Sequence, residues 1–255
     1  MKKIILGIGI TLVLLLIIGL VALGLSLDGI VKRGVETMGP KVMKVDVKLD
    51  KFALSLFSGG GELDGLVIGN PAGFKSTNAV SVGVGRVVVK PSSLLSDKIV
   101  IQMVKVDAPE INLETGLNGT NLKKILDNLN ETPSSPDTNA AAKPASAAPG
   151  KKLEVDDFLL TGAKLNVIVA GLGSQTLALP EIHLSNLGTG PDGISSVELT
   201  KVILSEIEKV AAKAAAENAG NIAKSATGLL NGLTGKTNGT AENLGKGLGD
   251  LLKKK

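Results

Sequence analysis

The sequence predicts an α+β protein that is mainly β: an N-terminal transmembrane helix, then a twisted, mostly antiparallel sheet with a packed C-terminal helix. Three observations support this fold class. The run from Ile4 to Leu27 carries no charge. Segments between Val45 and Leu184 alternate apolar and polar residues, which is the period of a half-buried strand. Apolar residues at helical spacing follow Ser195-Ser196-Val197-Glu198, which resembles a capping box.

The composition limits both the core and the chemistry. The chain of 255 residues contains 4 Phe, no Trp, no Tyr and no Cys. The core must therefore consist of Val, Ile, Leu and Ala, which favours strands. Disulfides, thiolate metal sites and cysteine nucleophiles are excluded, and a single histidine, His183, excludes a multi-histidine metal site. The net charge of +4 is not gathered into a basic stripe, so we expect no nucleic-acid partner.

The N-terminal apolar run predicts a membrane anchor, with Ile4, Leu12, Leu16 and Leu20 as representative anchor residues. About 20 apolar residues cross a bilayer, and this run is longer than a usual signal-peptide core. Lys2 and Lys3 precede it, so the positive-inside rule places the N-terminus in the cytoplasm. The alternative is a signal peptide cleaved near Ala22 or Gly24. Both interpretations export the rest of the chain.

The sequence divides the chain into five segments. These are an anchor at residues 1–27, a first β-rich segment at 28–130, a linker at 131–150, a second β-rich segment with a helix of the same domain at 151–216, and a tail at 217–255. The Ala-, Pro- and Ser-rich linker predicts disorder. The tail is either flexible or weakly amphipathic. Residues 28–39 predict a short helix or connector ending at Gly39-Pro40, with a strand pattern from Val42.

The parity of apolar residues predicts the strand faces. Val45, Val47 and Leu49 are followed by Phe52 and Leu54, so the parity changes and a bulge or bend is expected near Asp50-Lys51. Val80, Val82 and Val84 alternate along a strand that continues to Lys90. Further strands are predicted at Leu66 to Ile68, at Ile99 to Val106 and around Pro180, and a short helix at Asn121 to Leu129.

An internal repeat is present. A shift of 54 residues superimposes Lys98 on Lys152 and Asn112 on Asn166, together with six apolar positions between Ile99 and Leu113. We interpret it as two copies of a β-hairpin-like unit separated by the linker.

No motif in the sequence indicates catalysis. Gly59-Gly60-Gly61 lacks the Lys-Ser/Thr of a phosphate-binding loop and is interpreted as a hairpin turn. Glu154 and Asp156 fit a solvated strand face better than a cation site. His183 is expected to be exposed or on an edge strand, without a nucleophile motif. The prediction is therefore no enzyme, no cofactor and no metal.

The order of the elements resembles the AsmA-like family of bacterial envelope proteins. The resemblance covers most of residues 1–205. Its pieces are the anchor, the Gly39-Pro40 break and the strand from Val42, the segment from Leu66 to Phe74 with a compact Asn70-Pro71 turn capped by a buried Phe, Leu94-Leu95, Ile99 to Glu110, Asn121-Leu122, and the late strands leading to Leu199. It implies a twisted sheet with an apolar groove, and a non-catalytic role in envelope lipid transport or outer-membrane homeostasis. It also implies an inner-membrane, single-pass protein with a periplasmic domain.

The apolar strand faces are the candidates for lipid contact: Val45, Val47, Leu54, Leu56, Val82, Val84, Ile99 and Ile101. The alternative is an ordinary core covered by a helix at residues 196–216, in a structural or scaffolding envelope protein that binds other proteins. Membrane lipids are the expected partners, with envelope proteins or further copies of the chain as other candidates. Nine or ten strands at ~4.8 Å spacing predict a sheet roughly 45 Å long, whose Val45 end would lie nearest the bilayer.

Overall fold

The computed structural model describes residues 28–55, 57–116, 119–131, 151–169 and 173–224. The predicted anchor with Ile4, Leu12, Leu16 and Leu20, the linker from residue 132, Leu56, and the tail beyond residue 224 lie outside the described residues. Among the described helices, none combines the length and apolar composition that crossing a membrane requires.

The described chain forms a mainly β fold, as predicted. A first helix, α1, occupies residues 28–43. The ten strands are β1 (Val47–Leu54), β2 (Gly60–Ile68), β3 (Val80–Val89), β4 (Lys98–Asp107), β5 (Glu110–Gly116), β6 (Gly119–Thr120), β7 (Lys152–Thr161), β8 (Lys164–Val169), β9 (Gly173–Ala178) and β10 (Ile182–Leu187). The later helices are α2 (Asn121–Glu131) and α3 (Ser196–Glu217), with a short helical segment at residues 219–224, and a 3₁₀ helix (Pro91–Leu95) joins β3 to β4.

Some strands run end to end with the next strand in the chain, and we call each continuous row, whether one strand or two, a line. The curled sheet is six lines wide. β3 pairs with both β4 and β5, β7–β8 pair with β4–β5, and β9–β10 pair with β8 and β7. The order across the sheet is β1, β2, β3, β4–β5, β7–β8, β9–β10. Five gaps of ~4.8 Å give a width of about 24 Å. The predicted length of 45 Å is wrong because it treated end-to-end halves as neighbours.

The 54-residue repeat forms the parallel centre of the sheet. Lys98 pairs with Lys152 and Ile111 pairs with Leu165, so each paired residue of β4–β5 lies beside its repeat equivalent. Within each repeat unit the two strands run end to end with a bend between them, as β4 and β5 do. The prediction that each unit is a hairpin is therefore wrong. The other strand pairs are antiparallel, so the sheet is mixed.

A bend crosses the sheet where the apolar residues change parity. Three residues at this bend occupy the left-handed region: Gly65 (φ 64°) of β2, Ala108 (φ 48°) between β4 and β5, and Gly162 (φ 65°) between β7 and β8. The parity change near Asp50 belongs to the same bend. β1 and β2 keep one register on both sides of Asp50, from Leu49↔Leu66 to Lys51↔Asp64, so no residue is inserted. The predicted "bulge or bend" is therefore a bend.

The helices cover one face of the sheet, which we call the inner face and define by Val80 and Ile111. α2 packs on β5 and β6, and α3 packs on β10 and α2. The buried helical residues are Leu122, Ile125 and Leu129 of α2 with Leu204, Ile207, Ala211 and Ala215 of α3. The predicted capping box of α3 is confirmed: Glu198 N donates to Ser195 Oγ at 3.2 Å, and Ser195 N donates to Glu198 Oε2 at 3.0 Å.

The first helix is longer than predicted. α1 continues through Gly39 and Pro40 to residue 43, and β1 begins at Val47, so the predicted helix end at Gly39-Pro40 and strand start at Val42 are wrong. Gly39 is buried against β1, and a Cβ there would lie 2.9 Å from the side chain of Val47. Because Gly39 has no side chain, α1 can pack closely against β1 at the position where the sequence suggested a break.

Candidate functional site

One part of the inner face remains half-exposed and apolar. We call it the apolar strip and define it by Phe52, Leu54, Leu63, Val87, Ile99 and Ile101. Register places these residues together: Phe52 pairs with Leu63, and Leu63 with Gly85. Gly85 pairs with the buried Val106, which fixes the strip on the inner face.

The strip side chains lie over small residues. A Cβ at Gly61 would lie 2.8 Å from Val87 Cγ1 and 3.1 Å from Leu54 Cδ1, so both side chains already occupy the space above this glycine. A Cβ at Gly85 would lie 3.0 Å from Leu63 Cγ. The side chains of Leu54, Leu63 and Val87 therefore fold over the glycines and form an aliphatic surface. Such a surface offers apolar contact without directional polar groups.

The eight residues predicted to contact lipid divide between sealed and open positions. Val45, Val47 and Val82 are 5–6% exposed and belong to the main core. Leu54, Ile99 and Ile101 belong to the apolar strip and are half-buried. Leu56 lies outside the described residues. The structure therefore brings three of the predicted residues together on one accessible surface.

Val84 is separated from its predicted neighbours. Alternation predicted that Val82 and Val84 share a face, but Val84 is 40% exposed and pairs with Asp64. The next pair along the ladder, Leu63 with Gly85, faces inward, so Val84 faces outward. The bend at Gly83 interrupts the alternation without inserting a residue, so the side chains beyond it change face.

The strip is open because α2 and α3 pack elsewhere. α2 lies on β5 and β6 and α3 on β10, which are on the other side of the bend or at the far edge of the sheet. Among the six strip residues, Leu63 and Ile101 contact the main core at the boundary of this cover. The apolar pattern did not identify Phe52, Leu63 and Val87 as contact residues, although the parity change at Asp50 was a signal for Phe52.

A network of buried polar groups fixes the sealed half of the sheet. Asn121, at the start of α2, donates from Nδ2 to Asn70 Oδ1 at 2.7 Å and to Asn112 O at 2.8 Å. Its Oδ1 accepts from Glu114 N at 3.0 Å. Asn70 donates in turn to Ser76 O at 2.6 Å. The Asn70-Pro71 turn is thus tied to β5 and α2, while Phe74, predicted to be buried, is half-buried against Gly116.

Glu114 is the charged group inside this network. Its carboxylate accepts hydrogen bonds from Lys75 N at 2.8 Å, from Ser76 N at 2.7 Å and from Ser76 Oγ at 2.7 Å. Burial raises the pKa of Glu114, but these hydrogen bonds from Ser76 and Lys75 outweigh it, so the pKa lies below its ordinary value. The carboxylate is satisfied by the loop between β2 and β3, which indicates a structural role.

The remaining polar candidates are surface groups. His183 Nε2 lies 2.8 Å from Asp157 Oδ1 on the edge line, with both side chains 54% exposed, as predicted for His183. Glu154 forms an ion pair with Lys98 at 2.5 Å, so it faces its repeat-related strand instead of open solvent. Within the described ranges, no group of three or more His, Asp and Glu side chains is arranged to hold a metal ion.

α1 fixes the position of residue 28 beside the strip. Leu54 N donates to Asp28 Oδ1 at 3.0 Å, Leu49 N donates to Glu36 Oε1 at 3.2 Å, and Lys32 Nζ donates to Leu49 O. The helix therefore runs antiparallel to β1 and covers the free edge of that strand with side-chain hydrogen bonds. The expectation that the Val45 end lies nearest the bilayer assumed a connector that leads straight into β1, whereas α1 folds back along β1 and places Asp28 at the Leu54 end.

Comparison with known proteins identifies no relative. No family model, no curated protein and no solved structure matches this chain.

Proposed function

We propose that this chain is a membrane-anchored, non-catalytic envelope protein that binds lipid acyl chains on the apolar strip. The observation that carries the proposal is the contrast within one sheet face. Val45, Val47 and Val82 are buried in the core that also contains the apolar residues of the helices, while Leu54 and Val87 of the same face stay half-exposed. An exposed continuation of a core is a common feature of surfaces that bind apolar partners.

The chemistry of the strip suits acyl chains. Its six residues are aliphatic or aromatic and carry no polar side-chain atom. Transfer of each methylene from water to such a surface contributes about 0.8 kcal/mol when fully buried, so about five buried methylenes supply the ~4 kcal/mol of millimolar binding. The resemblance to AsmA-like proteins supports the same proposal: an inner-membrane, single-pass protein with a periplasmic domain in lipid transfer or outer-membrane homeostasis.

The sheet is too narrow to bridge two membranes alone. A width of about 24 Å, from six lines at ~4.8 Å, is less than a periplasm-spanning groove requires. We therefore propose that the chain holds or hands over lipid close to the inner membrane. A continuous route would need further copies of the chain or other envelope proteins as partners.

A scaffolding role is the second candidate. It is favoured by the sealed half of the inner face and by the line β9–β10, which ends the described sheet and pairs on one side only. An edge line of this kind can accept a strand from another protein. Pro180 and the exposed Glu181 interrupt it, and such residues commonly oppose edge pairing, so this candidate is the weaker of the two.

Photocrosslinking tests the lipid proposal. The full chain is reconstituted in vesicles that contain a phospholipid with a diazirine in its acyl chain, irradiated, and digested for mass spectrometry. We expect labelled peptides from β1, β3 and β4 in addition to residues 4–27.

Two neighbouring substitutions make a matched pair for this test. Val87→Glu places a charge on the strip, whereas Val88→Glu places the same charge on the outer face of the same strand, and both positions are half-buried. V87E should lose labelling of β1 and β4 while V88E keeps it, with thermal unfolding of both variants recorded to exclude unfolding. Equal labelling in the two variants, or labelling confined to residues 4–27, would contradict lipid binding on the strip.

A further inference from the structure

Three large apolar side chains are strongly exposed at the ends of their elements. Ile30 in the first turn of described α1 is 62% exposed, Phe57 in the β1–β2 turn is 80% exposed, and Leu95 at the end of the 3₁₀ helix is 91% exposed. Scattered surface apolar residues are ordinary, so their importance depends on whether they lie together.

The contacts between their segments place all three at one end of the sheet. Gly59 O accepts from Val89 N at 2.8 Å, and the site of a Gly59 Cβ lies 3.3 Å from Pro91 Cδ. The Phe57 turn and the Leu95 helix are therefore adjacent. Asp28 Oδ1 accepts from Leu54 N at 3.0 Å, which places Ile30, two residues later, beside the same turn.

The order of the chain relates this end to the N-terminal apolar run. The described residues begin at Asp28, at this end, and the sequence directly before it is the uncharged run from Ile4 to Leu27. If that run lies in a bilayer, as the proposed function requires, the Phe57 end of the sheet is the end closest to the membrane surface. Apolar side chains at loop tips next to a membrane segment fit the interfacial region of the bilayer.

We infer that Phe57, Leu95 and Ile30 form a second membrane contact, in which they enter the interface of the bilayer that holds the N-terminal run. The inference rests on the membrane attachment of the proposed function. It also assigns an orientation: the apolar strip, which begins at Leu54, opens toward the bilayer, so lipid would pass directly between the interface and the strip.

The charges at this end do not select an anionic surface. Exposed Lys90, Lys151 and Lys152 are accompanied by exposed Asp97 and Asp192. Because three positive charges are offset by two negative ones, we expect the contact to depend mainly on apolar insertion and to form on zwitterionic lipid. Phosphatidylcholine vesicles are therefore the appropriate probe, and added salt should change the contact little.

The absence of Trp and Tyr makes the test direct, because one substitution supplies the only such fluorophore in the chain. The full chain is reconstituted in phosphatidylcholine vesicles with Phe57→Trp or Leu95→Trp, and with Met38→Trp as the control. Met38 is 51% exposed on the same helix as Ile30 but ten residues beyond Asp28, about 15 Å farther along the helix axis. Emission is compared in vesicles with and without phosphatidylcholine brominated in the upper acyl chain.

The result expected is a blue-shifted emission that bromolipid quenches for F57W and L95W, while M38W stays red-shifted and unquenched. Equal quenching at all three positions, or none at Phe57 and Leu95, overturns the inference. Val87→Glu combined with F57W separates a bilayer from a single lipid bound on the strip: quenching that persists supports bilayer contact, and quenching that disappears overturns it. If crosslinking on the strip fails while bromolipid still quenches F57W, lipid binding on the strip is contradicted and the second membrane contact stands.

Discussion

Asn166 Nδ2 donates a hydrogen bond to Asn112 Oδ1 at 3.0 Å, and the two residues are equivalent positions of the 54-residue repeat. They are Cα partners in the parallel pair β5–β8. Asn112 Nδ2 also donates to Asn78 Oδ1 at 2.7 Å, and Asn166 Oδ1 accepts from Thr176 Oγ1 at 2.7 Å. A row of side-chain hydrogen bonds thus crosses the sheet through the two repeat copies.

The Asn112–Asn166 pair should show energetic coupling. Asn112→Ala removes an acceptor and a donor, so we expect it to lower the free energy of unfolding by about 1–3 kcal/mol, the cost of leaving partly buried partners unsatisfied. Asn166→Ala should cost less, and a double-mutant cycle by chemical denaturation should give a coupling of about 0.5–1.5 kcal/mol. Asn130→Ala, at an exposed position of α2, is the control. Additive effects would show that the hydrogen bond contributes nothing.

Glu114 should make stability depend on acid pH. Its pKa is held below the ordinary value of 4.5 by hydrogen bonds from Ser76 and Lys75. A lowered folded-state pKa stabilises the fold above the unfolded pKa, and this stabilisation is lost as the pH falls through the folded-state pKa. Glu114→Gln should therefore destabilise the protein at neutral pH by about 1–3 kcal/mol. The variant should also lose less stability than the wild type as the pH falls from neutral to acid.

The control for Glu114 lies on the same strand. Glu110→Gln changes an exposed carboxylate of β5 and should leave both the stability at pH 7 and its acid dependence unchanged. Denaturation midpoints across the pH range provide the measurement. A wild-type acid profile that E114Q reproduces would show that another group causes the dependence.

Glu208 should act with the opposite sign. Burial raises its pKa and the nearby charge of Asp127 adds to this, although Lys123 lowers it. A raised folded-state pKa means that ionisation opposes folding, so stability is lost as the pH rises from the unfolded value of 4.5 through the folded-state pKa. Glu208→Gln should raise the melting temperature at pH 7 and have little effect below about pH 4, where the carboxyl group is protonated in both states. Glu217→Gln, on the exposed end of the same helix, should leave the melting temperature at pH 7 unchanged. A lower melting temperature for E208Q at pH 7 would contradict the prediction.

Gly65 should be required for the bend. Its φ of 64° disfavours any other L-residue, at about 1–2 kcal/mol, and an added Cβ would overlap the carboxyl group of Asp50. Gly65→Ala should therefore destabilise the protein by more than about 1 kcal/mol. Gly83→Ala, on the neighbouring strand with open space around it and no positive φ, is the matched control. Equal unfolding midpoints for the two variants would show that the bend does not depend on Gly65.

Much of the local structure could be predicted from sequence. The strand from Val80 to Val89, the helical spacing after Ser195 and the 54-residue repeat all match elements of the structure. These features are local, since side-chain period and end-capping depend on residues a few positions apart. The repeat was also detectable because equivalent positions sit side by side in one sheet and meet the same packing requirement.

The candidate site could be predicted only in part. Leu54, Ile99 and Ile101 were identified by their apolar pattern, but so were Val45, Val47 and Val82, which the helices bury. Composition cannot distinguish a strand face that is covered from one that is open. Val84 was misplaced because one residue at a bend reverses every later side chain.

The sequence by itself determined a chain with an apolar N-terminal run and strands built from aliphatic residues, because hydrophobic period and charge are properties of short segments. Only the tertiary structure decided that α1 folds back on β1, that the strands join end to end into six lines, and that Leu54 and Val87 stay open while Val82 is sealed. Each of these outcomes depends on contacts between residues distant in the chain. Long-range packing chooses among several arrangements that satisfy the same local pattern.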